Sequence, residues 1–340
     1  MSVITHTPAE RALIDLLDGA EDWRAAARQA VIEHGLPTKR AEAWKWSDLR
    51  RAAQGIETAG EAGFDCGDTL TLDGSSIRQI RLTATPGVSV ASLEIIVPAR
   101  VSAVLEEIHE IADGAMPSVR IEISLGEGAS LDRVIRSDIA EGAVSVVRSR
   151  IDLAAGATIR QSTLSFGSKL SRHETHVTHA GEGAEAHIGG VYLLEEGRHA
   201  DFTSTVTHTG PGGITRQLVK GAAMAQARGV FQGKFKVEQA AQQTDAQMTH
   251  RALMLDERAE IDAKPELEIY ADDVQCAHGN ALGAIDETAL FYMRQRGIPE
   301  IRARALLIES FLAEPFDMIT DEGLRDSLRT QLQERLERIA

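Results

Sequence analysis

Aromatic residues are scarce in this 340-residue chain, only 4% of it. A folded core must therefore be filled by Val, Ile, Leu and Ala in thin, regular layers. Cysteine is scarcer still: Cys66 and Cys276 lie 210 positions apart and cannot form a disulfide framework. No run approaches the roughly 18 apolar residues that a membrane span needs. Met1 to Arg11 carries neither the basic region nor the apolar stretch of a secretory signal, so a cytoplasmic setting is expected, with no membrane partner. Positive charge is also in deficit. Lys and Arg number 36 against 51 Asp and Glu, a formal net charge of −15, and such a field repels nucleic acid. The densest basic cluster, Lys39 and Arg40 with Lys45, Arg50 and Arg51 nearby, is diluted by Glu42 and Asp48. A P-loop, a dinucleotide fingerprint and a nucleophile elbow are all missing, which leaves an ATPase reading of this chain without support.

What is present is ordinary for a folded protein, with 43% hydrophobic and 26% charged residues. The length fits about two domains, or one elongated β-rich body with appendages. The pattern divides into three: a helical region over 1–60, a strand-rich core over 61–275 and a second helical region over 276–340. In the first, Pro8 opens a helix carrying Ala12, Leu13, Leu16 and Leu17, which ends at Gly19. A second helix runs from Trp23 to His34, stopped by Gly35 and Pro37, and a third helical segment covers Ala41–Trp46.

From Phe64 to Tyr270, apolar and polar residues alternate in short runs such as Val119–Leu125, the period of a strand with one buried face. Gly-Ala breaks at Gly128, Gly156 and Gly183 recur 28 and then 27 residues apart. Val177–Ala184 is echoed by Val206–Gly213 at an offset of 29. Fixed self-similarity of this length predicts a solenoid of stacked coils whose strands pair in parallel. The competing β-sandwich needs hairpin turns, and Asp73-Gly74 and Asp113-Gly114 are the exceptions to their near absence. Ser102–Ile111 fits either a strand or a short helix. After Cys276, Asp286 is a credible N-cap for a helix through Phe291, Tyr292 and Met293 that ends at Gly297, and Pro299 opens the next. Leu324, Leu328, Leu332 and Leu336 then form an amphipathic stripe expected to dock on the protein itself.

Six histidines, His173, His176, His179, His187, His199 and His208, fall within 36 residues. The repeat aligns His179 with His208, in coils about 4.8 Å apart. That spacing suits two ligands of a shared metal or, as the plainer expectation, a solvated or stacked row on the solenoid surface. His173-Glu174-Thr175-His176 is one residue too short for a zinc-protease motif. Lys264, Glu266, Glu268 and Tyr270 share a face, as acid–base carboxylates or, more plainly, as the wet side of a strand. Cys276 and His278 project to one side of an extended chain. Together they could bind iron or zinc, or the imidazole could activate the thiol. A closed tetrahedral site needs four ligands, so a second chain or an exchangeable ligand would have to complete it. The bland alternative is a buried free cysteine beside a hydrogen-bonded histidine.

Lys264–Gly279 resembles a hallmark segment of the SufB/SufD family of iron–sulfur cluster assembly proteins. The resemblance continues through Leu282–Pro299, Val230–Val237, Gln242–Asp245 and, near the N-terminus, Leu36–Leu49; it is weakest over 55–165. Trp46 stands where Tyr is common, and Ala277 where Ser is common. The Cys-x-His-Gly form at 276–279 and the shortage of cysteines are similar to the SufD side of the family. The resemblance implies a right-handed parallel β-helix flanked by helical regions, and a non-catalytic subunit pairing with SufB through that β-helix. It implies that the C-terminal helices dock the SufC ATPase, with Phe291, Tyr292, Arg294, Arg296 and Gly297 as the docking residues. It places His278 at the SufB–SufD interface as a transient iron ligand, with Cys276 beside it. No cofactor would be bound stably, and iron or a cluster would be held only together with SufB. A homodimer is the alternative assembly. The rival readings are a carbohydrate-active β-helix enzyme and a His-rich metal-storage module.

Overall fold

The computed structural model describes residues 5–20 and 22–339. Met1, the rest of 1–4, and residues 21 and 340 of the expected helical regions lie outside the described residues. Seventeen strands, β1 (Ala62–Phe64) to β17 (Gln275–Gly283), make up the middle of the described chain. Odd-numbered strands form one sheet in sequence order and even-numbered strands from β2 to β16 form the other. The chain therefore alternates between two facing sheets, and each coil lays its strands beside those of the coil before. All strand pairs are parallel except β1 with β3 (Ile77–Ala84). The sandwich alternative is excluded, because its hairpins require antiparallel neighbours.

The repeat sets the register. Strand β10 (Leu170–His179) pairs with β12 (His199–His208) so that Val177 meets Val206 and His179 meets His208. The glycines that pace the sequence sit at coil corners, where Gly128, Gly156, Gly183 and Gly212 adopt φ of 64°, 63°, 66° and 68°. A Cβ would strain that left-handed backbone. Between the sheets runs a narrow aliphatic core, including Ile80, Leu93, Leu105, Ile121 and Leu153. Ser102–Ile111 is a strand, β5.

Both outer faces carry helices. Helix α1 (Pro8–Leu16) begins with a capping box between Thr7 and Glu10, and α2 (Trp23–His34) ends at Gly35. The third expected helix is shorter than its pattern suggests: a 3₁₀ turn over Glu42–Trp44, followed by the one-turn α3 (Leu49–Ala52). Leu13, Leu17, Val31 and Trp44 pack on Val88, Met116, Val144 and Leu170 of the even sheet. The Arg172 guanidinium lies 4.1 Å over the Trp44 ring and pairs with Glu174 and Asp201, so a buried ionic cluster anchors this region. On the odd sheet, α4 (Glu287–Gln295), α5 (Glu300–Leu312) and α6 (Glu322–Ile339) follow in turn. Asp286 caps α4 as expected, whereas Pro299 is the N-cap of α5 rather than a residue of its first turn. The leucine stripe of α6 is buried against Val134, Leu164, Val191 and Leu253.

The boundary expected at 275/276 falls inside β17. The tetrapeptide at 276–279 thus belongs to the solenoid and not to the helical tail, because the strand pairs with β15 (Asp245–Met254) along its whole length. The stripe itself is testable. Leu332 has no exposed surface, so Leu332→Ala should lower stability to chemical denaturation by about 2–5 kcal/mol. A loss under about 1 kcal/mol would mean that α6 does not pack as described.

Candidate functional site

The two ends of the stack differ. At the first end, edge strands β1 and β2 (Thr69–Thr71) are three residues long. At the other end, β16 (Glu260–Ile269) and β17 run ten and nine residues, each paired on one side only. Long, unpartnered strands leave rows of free N–H and C=O groups. The last coil also lacks a following coil to cover its core-facing side chains. In β16 these are Ile261, Ala263, Pro265, Leu267 and Ile269, in register with core residues that include Phe231 and Phe235. In β17 they are Cys276, His278, Asn280 and Leu282, in register with Ala246, Met248, His250 and Ala252.

Cys276 and His278 therefore share one side of β17, roughly 6.5 Å apart along the strand. The thiol is half-buried against the core and the imidazole is exposed. This replaces the bland expectation of a hydrogen-bonded histidine beside a buried cysteine. Burial pushes the Cys276 thiol up from its ordinary value, and the Asp245 carboxylate adds to that; a backbone hydrogen bond from Ala246 opposes them. The thiol is thus a weak nucleophile in this chain. Two donors do not make a closed site. Among the described residues no group of three or more His, Cys, Asp or Glu side chains is placed to hold a metal ion.

The histidine cluster is not a surface row. His179 and His208 stack with ring centroids 4.1 Å apart, both wholly buried between the sheets. His179 Nδ1–H donates to the Ala184 carbonyl at 3.1 Å, and Thr215 Oγ1 lies within 3.2 Å of both Nε2 atoms. Protein groups meet three of the four ring nitrogens, and His208 Nδ1 alone has no partner among the described residues, so the pair is a stacked, buried couple rather than an exposed shared-metal site. His173, six positions earlier on β10, is also buried and stacks between His109 and Phe202. His176 lies on the opposite face, near Glu174, and His187 near Glu185. His199 Nε2 lies 3.2 Å from Ser47 Oγ, tying the N-terminal region to the even sheet.

A buried ion pair went unnoticed in the sequence. Arg133 donates through Nε and Nη2 to Glu107 at 2.6 and 2.8 Å, and through Nη1 to Ser149 and Gln161. Burial works to raise the Glu107 carboxyl, but Arg133 and His109 outweigh it and hold it well below the usual carboxylate range. The signal was present: Glu107 and His109 break the apolar alternation of β5 at core parity. Lys264, Glu266 and Glu268 are the wet side of β16, bound in surface pairs with Glu42 and Lys234 rather than poised for acid–base work.

On α4, Phe291 and Tyr292 are 61% and 57% exposed. The Arg296 guanidinium lies 4.5 Å over the Tyr292 ring, and Arg294 pairs with Glu300 at 3.2 Å. Gly297 turns the chain with φ 84°. These five residues form one exposed patch, and Ala284–Asp286 alone separate α4 from β17.

A model of the SUF system FeS cluster assembly SufBD core domain matches residues 80–311. The chain belongs to the SufB/SufD family. The iron–sulfur cluster assembly protein SufD of Escherichia coli is 36% identical over 170 residues, which are 50% of this chain and 40% of that protein. An iron–sulfur cluster assembly SufBD family protein of Synechocystis is 35% identical over 208 residues, 61% of this chain and 46% of its own. SufD of Bacillus subtilis is 30% identical over 170 residues, covering 50% and 38%. The aligned part of the chain thus spans less than half the length of these relatives. The family match runs across the last coil and the α4 patch.

Two measurements follow. Burial lowers His173 and His179 to about 3, and His208 and His250 to about 4. All four sit below their ordinary 6.5, so the unfolded chain takes up protons that the folded chain refuses. Stability is fully present above about pH 6.5 and falls as the pH drops toward 4, each proton adding about 1.4 kcal/mol per pH unit. A denaturation midpoint flat between pH 7 and 4 would contradict buried, neutral imidazoles. Separately, Cys276 in a Cys66→Ser chain should alkylate more slowly at pH 8 than an unstructured cysteine and reach parity on unfolding. Equal rates in the folded state would show a thiol without the shift.

Proposed function

We propose that this chain is the SufD-like, non-catalytic subunit of a SUF scaffold complex. It pairs with a SufB-like subunit through the open end of its solenoid and docks a SufC-like ATPase through the α4 patch. His278, with Cys276 beside it, meets iron as it enters the nascent cluster. One observation carries the reading: the family's Cys-x-His-Gly segment lies on a long, unpaired edge strand with its core-facing side chains uncovered. A second chain built on the same coils can extend both sheets by strand addition and cover the apolar face of β16. The two-donor set of β17 then faces donors from the partner, which supplies the ligands this chain lacks. A neutral imidazole is a borderline ligand, suited to iron that must be released again.

The patch on α4 has the composition of a binding hot spot, two exposed aromatics with an arginine stacked on one of them. Its short connection to β17 gives it a mechanical role. Dimerisation of the ATPase on ATP would load α4, and that load reaches the strand of His278 through three residues, Ala284–Asp286. Opening of the shared edge would then admit iron and sulfide.

The test is co-expression with SufB-like and SufC-like chains, mass determination of the complex, and a cluster-maturation assay. His278→Ala should leave the complex intact and reduce maturation by at least about tenfold, as loss of a metal ligand or its support does. Wild-type maturation in an intact complex would remove His278 from the mechanism. Recovery of this chain solely as a homodimer would overturn the pairing.

A further inference from the structure

The interior beside the open end holds a hydrogen-bonded file of three residues. Tyr192 Oη lies 2.9 Å from His250 Nε2, and His250 Nδ1 lies 2.8 Å from Asn280 Oδ1. The file spans three strands of one sheet, β11 (Glu185–Leu194), β15 and β17, and passes over β13 (Ile214–Ala223) between the first two. Tyr192 bridges that gap by leaning along the solenoid axis, stacked between Phe202 and His250. Glycines of opposite sheets make the room. A Cβ on Gly221 or on Gly229 would overlap the tyrosine ring. The reach of Tyr192 is therefore written into the sequence of the intervening coil.

The direction of the file follows from the donors available. The phenol is wholly buried, and His250 Nε2 is its one hydrogen-bond partner among the described residues. Were it to accept from Nε2–H, its own hydrogen would be stranded in a dry core, which buried polar groups avoid. The phenol therefore donates, Nε2 accepts, and a neutral imidazole carries its hydrogen on Nδ1. That N–H donates to Asn280 Oδ1. The carboxamide is then fixed with its NH₂ turned from His250. Asn280 is exposed, and this NH₂ makes no hydrogen bond among the described residues. It stands on the same side of β17 as Cys276 and His278.

We propose that Asn280 is the third group of the Cys276–His278 site, held by Tyr192 and His250 so that its N–H bonds donate to sulfide sulfur of the cluster under assembly. The inference rests on the assembly role above and adds a donor to it. Cys276 and His278 serve the metal, whereas Asn280 serves the anion, whose charge strengthens the hydrogen bond.

Asn280→Asp separates this role from a structural one. An aspartate still accepts from His250 Nδ1–H and preserves the file, but it has no N–H to give. Both Asn280→Asp and Asn280→Ala should slow cluster formation from iron and sulfide in the co-purified complex by about tenfold, with its mass unchanged. Rescue by aspartate would reduce Asn280 to an anchor and overturn the proposal, as would wild-type rates in both variants. Nitrogen NMR of the full chain should show His250 protonated at Nδ1, and Tyr192→Phe should mix the tautomers; a hydrogen on Nε2 in the wild type would also overturn it. A His278→Ala control tells the two failures apart. If that variant is slow while the Asn280 variants are not, this inference alone falls; if His278→Ala is also at the wild-type rate, the assembly role falls first.

Discussion

A stack of parallel coils cannot close its own ends, and this constraint shapes the molecule. Every strand inside the stack has its backbone groups met on both sides, so the unpaired groups collect at the first and last coils. The first end is blunted by two three-residue strands, one of them turned antiparallel. The last end carries two strands of nine and ten residues and exposes its apolar interior. Such an edge is an aggregation hazard unless something is meant to sit on it. The asymmetry is the physical ground for treating the last coil as an interface.

The interior changes character on the way to that end. Early coils are filled by Ile80, Leu82, Leu93, Ile95 and Ile121. From Glu107 and Arg133 onward, polar groups enter, with His173, His179 and His208 and then Tyr192 and His250. A buried ion pair is seldom there for stability, since its desolvation offsets most of its attraction. Here Arg133 bonds Glu107 and Thr215 bonds His179 across neighbouring coils, and Tyr192 reaches His250 over one coil, which fixes the register of coils whose backbone pairing alone would tolerate a slip. The file ends at Asn280, so the ordering of the interior extends to the edge where a site needs fixed side chains.

Much of this was legible in the sequence. The 29-residue echo of Val177–Ala184 gave the coil length and the pairing of His179 with His208, because a solenoid repeats its register with its sequence. The start of α1 at Pro8 and the end of α2 at Gly35 followed from residues whose effects are local, whereas α1 stops at Leu16, short of Gly19. The placement of the histidines did not follow. Parity tells which residues share a face, but both faces of these sheets are covered over long stretches, by the opposite sheet or by helices. Burial therefore cannot be read from alternation alone. Ser102–Ile111 was ambiguous for the same reason: Glu106 and Glu107 are both buried, one paired with Arg136 beneath α6 and the other with Arg133 between the sheets. The site's two motif residues were found from a local motif, whereas Asn280 was invisible because its partners lie 30 and 88 positions back in the chain.

The helices sharpen the argument for the open end. Residues from the N-terminal region cover much of the even sheet's outer face, with Trp44 stacked on Arg172 and Lys264 tied to Glu42. The leucines of α6 cover the odd sheet, and Arg136 reaches from that sheet to Ser327. With both flanks occupied by the chain itself and the first end blunted, the large apolar side chains still exposed gather in the last coil and just beyond it: Ile269, Tyr270, Leu282, Phe291, Tyr292 and Ile301. Of the exposed large hydrophobics among the described residues, only Leu16 and Ile77 lie elsewhere. The exposed apolar side chains of the last coil and of α4 are thus joined by a connection of three residues, Ala284–Asp286.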